Sequence, residues 1–113
     1  MKPDEMLGQL ARLAGMIQDQ RLEALRRAQV RQQAITAQLE ALDAPSACDL
    51  SPIHTRQAEL LYGQWVDARR QILHQQLDQQ GLVCREALAA ARLAFGKTQV
   101  LQQLSQAHMS RGK

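Results

Sequence analysis

The stretch "DAPSACDLSP", residues 43–52, decides the fold, because it is the one clear break in a helix-forming chain. Pro45 and Pro52 bracket it, and Ser46, Asp49 and Ser51 supply side chains that bond their own backbone in turns. Ser51-Pro52 is also a helix start, with Ser as N-cap and Pro at the first helical position, where no amide hydrogen is needed.

Upstream of the break, Leu25, Ala28, Ile35, Leu39 and Leu42 recur at helical spacings of three, four or their sum, and Gln32 fills one step. Leu10, Leu13 and Ile17 begin the same stripe, and the longer step from Ile17 to Leu25 reads as a four-residue stutter that locally unwinds a coiled coil. Downstream, Leu73, Leu77, Cys84, Leu88, Ala91, Phe95 and Thr98 keep a heptad phase. Asp4 and Glu5 follow Pro3, where carboxylates favour the positive end of a helix dipole. The expected architecture is all-α, a long antiparallel two-helix coiled-coil hairpin forming a single domain over residues 1–113. Its boundaries are a helix over about 3–44, a turn over about 45–51 and a longer helix over about 52–109.

Composition agrees. The chain has 113 residues, with 18 Gln, 17 Leu and 17 Ala against three aromatic residues and four valines, so helix formers abound and strand formers are scarce. An apolar content of 45% is too high for a disordered chain. Few aromatics argue against a deep globular core and suit leucine and alanine seams between helices. No run of 18 apolar residues is present, and "MKPDEMLGQL" has acids where a secretory signal needs bases followed by an apolar stretch, so a cytoplasmic protein is expected.

Two rods of about 42 and 57 residues measure roughly 63 and 85 Å. With a turn centred near Ala47–Cys48, partner residues sum to about 95–97. Leu25 then faces Ile72, and residues beyond about 93 form an overhang with no partner in the chain. Gly8, Ala11, Ala14 and Gly15 come level with Gly81, Cys84, Ala87 and Ala90, which implies a thin shaft of closely approaching backbones. Cys48 and Cys84 would lie about 48 Å apart, too far for a disulfide. They are also too few and too scattered for a disulfide framework or a zinc site. Past Glu86 the charges are Arg92, Lys97, Arg111 and Lys113 without an acid, a basic tip on a chain of net charge +3.

Gly96-Lys97-Thr98 matches the last three residues of a phosphate-binding loop, but Ala91 stands where the first glycine belongs, and the helical "CREALAAARLA" precedes it instead of a strand. Nucleotide binding is rejected. His54, His74 and His108 lack metal-ligand spacing, and no nucleophile–base set is evident, so neither a cofactor nor catalysis is expected. "RRAQVR", with Arg26, Arg27 and Arg31, has Asp19, Glu23 and Glu40 in the same helix and no aromatic for base stacking. Nucleic-acid binding is therefore the minor alternative.

"LLYGQWVDARRQIL", residues 60–73, carries two stripes. Leu61, Trp65, Ala68 and Ile72 form one; Tyr62, Val66 and Leu73 form the other, with Arg69 between them. A two-stranded hairpin buries one such stripe well. Either both belong to a broad seam, or the second is a docking face.

Taken together, the long hairpin, the short Pro/Ser turn, the aromatic-bearing start of the second helix, the Gln-rich shafts and the basic C-terminal end resemble FliJ-type (YscO-like) stalk proteins of flagellar and virulence type III export. The words that carry the resemblance are "LLYGQWVDARRQILHQQLDQQ" and "REALAAARLAFGKTQVLQQLSQ". It implies a non-enzymatic cytoplasmic component, peripheral at the inner face of a membrane-embedded export apparatus, whose open end inserts into the ring of the export ATPase. The ring-binding candidates are the residues of the basic overhang, Arg92, Lys97, Val100, Leu101 and Leu104. It further implies contact with the export gate through Tyr62, Val66, Arg69 and Leu73, of which Arg69 and Leu73 depart from the small and histidine residues of the family pattern. The chain is also shorter than typical members. A self-associating scaffold, two hairpins forming a dimeric four-helix bundle, is the main alternative.

Overall fold

In the computed structural model, residues 2–43 and 52–111 are described, with side chains of the second segment described from Arg56 onward. The expected turn over 45–51, its Ser51 cap and Cys48 lie outside the described residues. Two helices account for the described chain: α1, Pro3–Leu42, and α2, Pro52–Arg111. Pro3 opens α1, and the Met6 amide donates to the Lys2 carbonyl at 3.1 Å, closing the first turn. Asp4 and Glu5 occupy that turn, while His108 and Arg111 occupy the last turn of α2, so both charged ends complement their helix dipoles. α1 stops two residues short of expectation: at Asp43 the backbone turns, its amide donating to the Glu40 carbonyl at 3.1 Å. No described residue other than glycine has positive φ, and neither does any described glycine. The fold is an antiparallel helical hairpin.

Packing divides the hairpin into two units. The terminal unit joins Met1–Gln29 to Val83–Lys113, and the loop unit is Val30–Leu82.

In the loop unit, Ile35, Val66 and Leu73 are buried, with Gln32, Leu39, Leu42 and Leu77 half-buried around them. Leu73, only 1% exposed, is the most deeply buried large side chain. These positions repeat the three-and-four spacing read from the sequence on both helices. Gln80 is buried at the same heptad phase as Leu73 and Leu77, where the sequence alone showed a gap.

Three expectations are corrected, the first in the terminal unit. First, there is no stutter: Ala11, Ala14 and Gln18 turn inward and keep the regular spacing on to Leu25 and Ala28. Leu10, Leu13 and Ile17 are exposed instead. The larger side chains drew the stripe to themselves in the sequence, whereas the seam accepts small ones. On α2 the same exchange occurs, because Ala94 is buried between Ala91 and Thr98 while Phe95 is 50% exposed. Buried Thr98 satisfies its hydroxyl by donating to the Ala94 carbonyl at 3.0 Å.

Second, the register differs from the sum of 95–97. Asp4 pairs with His108 across the helices. The last turns of α2 therefore lie against the first turns of α1, and no unpartnered overhang begins near residue 93. In the loop unit, Arg70 Nη2 meets Asp43 Oδ1 at 2.7 Å and Arg69 Nη2 donates to Gln38 Oε1 at 3.4 Å. Since α2 starts at Pro52 and Val66 is already in the seam, its excess length over α1 lies before Val66, on the loop side.

Third, the glycines do not mark close backbone approach. An added Cβ at Gly8, Gly15, Gly63, Gly81 or Gly96 would meet nothing within 4 Å. Small residues do form the seam of the terminal unit, but they are alanines.

Candidate docking surfaces

Surfaces follow from which stripe each unit buries. In the loop unit the two candidate stripes separate cleanly. Val66 and Leu73 are in the seam, so they cannot present the open gate-binding face expected of Tyr62, Val66, Arg69 and Leu73. Arg69 is half-buried and spans to Gln38. Tyr62, at the edge of the buried stripe, is exposed and stacks on Trp65 with ring centroids 5.9 Å apart. The other stripe is the open one: Leu61, Trp65, Ala68 and Ile72 are all exposed, with Trp65 at 56%. A single hairpin has only one partner for α2, which is why the second stripe stays out.

In the terminal unit, the candidates on the last turns of α2 lie together. Arg92, Lys97, Val100 and Leu104 are exposed and Leu101 is half-buried. Lys97 and Leu101 of this set line a groove of about 350 Å³ whose other wall comes from α1. Leu10, Leu13 and Ile17 supply that wall, and Leu93 and Leu101 face them from α2. Ala14, Ala90 and Ala94 form its floor, and Arg21 and Lys97 add the charge. A second hollow adjoins it on α2, sharing Leu93, Lys97 and Leu101 and adding Arg92, Gly96 and Val100. Of the residues singled out on α2 from the sequence, Lys97 and Leu101 line the groove and Arg92 and Val100 the adjoining hollow. Sequence reading missed the α1 half, because Leu10, Leu13 and Ile17 were assigned to the seam.

Electrostatics elsewhere are local. Arg26 donates to both Glu23 carboxylate oxygens, at 3.0 and 2.7 Å, and Arg27 adds a bond at 3.3 Å. The Arg26 hydrogen bonds hold the Glu23 carboxyl well below the usual range, at about 2. Two arginines of "RRAQVR" are thus engaged within their own helix. Among the described residues no three His, Cys, Asp or Glu side chains gather as a metal site. Cys84 is half-buried and forms no disulfide with a described residue. Gly96-Lys97-Thr98 sits inside continuous α-helix, without the strand-to-loop geometry that cradles phosphate. No described helix is long and apolar enough to cross a membrane.

No family model, no curated protein and no solved structure matches this chain.

Proposed function

We propose that the chain is a non-enzymatic helical stalk or adaptor that docks other proteins, and that its particular setting is a type III protein export apparatus. The observation that carries the docking function is the mixed apolar and basic surface of the terminal unit, where Arg92, Lys97, Val100 and Leu104 are exposed beside Leu101. Isolated exposed leucines are ordinary, but a contiguous set rimmed by one sign of charge favours a protein partner. The hollows there are open grooves lined mainly by alkyl side chains, suited to holding apolar surface rather than orienting a reacting bond.

The export setting rests on the resemblance in layout to FliJ-type proteins. In that reading the terminal unit engages the export ATPase ring in the cytoplasm, at the inner face of the apparatus. A gate contact then falls on the open stripe of Leu61, Trp65 and Ile72, with Tyr62 at its edge, in place of the buried Val66 and Leu73. The test is ATP hydrolysis by the export ATPase of the same genome, with and without this protein. Stimulation that the double variant Leu101→Asp/Leu104→Asp abolishes, with helicity retained, supports the stalk role. Unchanged stimulation by that variant rejects the interface, and no stimulation at all rejects the role.

A second reading, a self-associating scaffold, is favoured by the open stripe of Leu61, Trp65 and Ile72 in the loop unit. Two such stripes facing each other would complete a four-helix bundle. A mass in light scattering that stays monomeric over the whole concentration range sinks it.

A further inference from the structure

We infer that the groove of the terminal unit seats a third helix, contributed by a partner protein, whose apolar stripe is flanked by carboxylates. This rests on the reading of the terminal unit as a docking end and specifies the partner's chemistry.

The groove's shape comes first. Two antiparallel helices in contact leave a furrow along each side, and a third helix fits there by inserting side chains spaced three and four apart. Here one furrow is walled on both sides by large apolar groups that the hairpin does not bury. Leu13 is 53% exposed on α1 and Leu93 is 62% exposed on α2. From Leu10 to Arg21 the α1 wall runs about 17 Å, roughly three helical turns. Between the walls lie the small side chains of Ala14, Ala90 and Ala94, which leave room for the side chains of an incoming helix.

Charge then selects the occupant. Arg21 and Lys97 line the groove and Arg92 joins Lys97 in the adjoining hollow, while no Asp or Glu lines either. Arginine and lysine lay their alkyl stems along apolar surface and hold their charged ends at the rim. A helix with Glu or Asp beside its apolar stripe meets those ends with opposite charge. A second copy of this chain does not, since two grooves face to face would bring Lys97 and Arg21 of one copy against the same cations of the other. Nucleic acid is disfavoured because the walls are alkyl groups and no aromatic ring lines the groove for base stacking.

The experiment uses the full chain and a dye-labelled peptide of about three heptads, with Leu at the inward positions and Glu on both flanks, which self-repulsion keeps monomeric. A Lys-flanked twin is the control. Saturable one-to-one binding of the Glu peptide is expected, at least about tenfold tighter than the Lys peptide and weakened by salt. Leu13→Asp, at an exposed position, should preserve helicity by circular dichroism and remove the binding. Lys97→Glu should shift the preference toward the Lys peptide. Equal binding of both peptides, or undiminished binding by Leu13→Asp, overturns the proposal. So does a concentration-dependent dimer that Leu13→Asp dissolves, which would assign the groove to a second copy. ATPase stimulation without Glu-peptide binding rejects this inference and leaves the stalk role standing; peptide binding without stimulation does the reverse.

Discussion

Arg70 Nη2 bonds Asp43 Oδ1 at 2.7 Å, tying the residue that follows α1 to a point well inside α2. α1 ends beside this tie, and Val66 is the first described residue of α2 buried in the seam, so the part of α2 before Val66 has no stretch of α1 to run beside. It is also the part richest in exposed apolar side chains: Leu60, Leu61, Tyr62 and Trp65. At the other end of the chain, in the terminal unit, the helices finish level, with Asp4 against His108.

The Asp43–Arg70 tie is measurable by a double-mutant cycle. Both side chains are partly exposed, at 72% and 40%, so solvent screening limits the pair. Asp43→Asn and Arg70→Gln should show a coupling of about 0.2–1 kcal/mol in urea unfolding, reduced by added salt. Strictly additive losses would mean the two residues do not meet.

Which stripe of residues 60–73 is buried can be read from stability. Leu73→Ala should cost about 2–5 kcal/mol, the combined loss of burial and a residual cavity. Leu61→Ala, at an open position, should change stability by no more than about 0.5 kcal/mol. Chemical denaturation checks both, and the opposite order would exchange the two stripes.

Glycine substitutions test the seam. Gly15→Ala and Gly63→Ala, one in each unit, add a Cβ that meets nothing within 4 Å. Each should stabilise by about 0.5–1 kcal/mol, because alanine loses less backbone freedom in a helix. A loss of stability, measured by thermal unfolding, would show that the helices approach more closely at these positions.

Acid titration should reveal the Glu23 cluster. Its carboxyl is lowered from 4.5 to about 2 in the folded chain, chiefly by hydrogen bonds from Arg26. A depressed carboxylate stabilises above its unfolded pKa and loses that contribution as pH falls through the folded value. The melting-temperature gap between the native chain and Glu23→Gln should therefore be full above pH 4.5 and vanish as pH falls to about 2. The cluster lies at the solvent surface, so the gap should be small and shrink with salt. A gap that persists unchanged below that pH would assign it to something other than ionisation.

Leu25, Ala28, Ile35, Leu39 and Leu42 were legible as a seam because apolar groups there coincide with the helical period. Near the N-terminus that coincidence fails. Leu10, Leu13 and Ile17 are the most apolar residues of their turns, yet Ala11, Ala14 and Gln18 face α2. Hydrophobicity marks what can be buried. It does not mark which of two neighbouring stripes has a partner helix within reach. The same ambiguity hid the α1 wall of the groove and left Val66 and Leu73, which are buried, open to either reading, seam or docking face.

The sequence by itself determined the two helices, their ends to within a few residues, the antiparallel hairpin and the concentration of basic residues on the last turns of α2. These follow from backbone propensity and helical periodicity, both local along the chain. Register, and with it the identity of every open surface, was decided only in the tertiary structure. Shifting one helix along the other leaves local propensities untouched but changes which side chains find partners. That choice rests on the summed packing of Ile35, Leu73, Ala91 and Ala94 and on the pairing of Asp43 with Arg70 and Asp4 with His108.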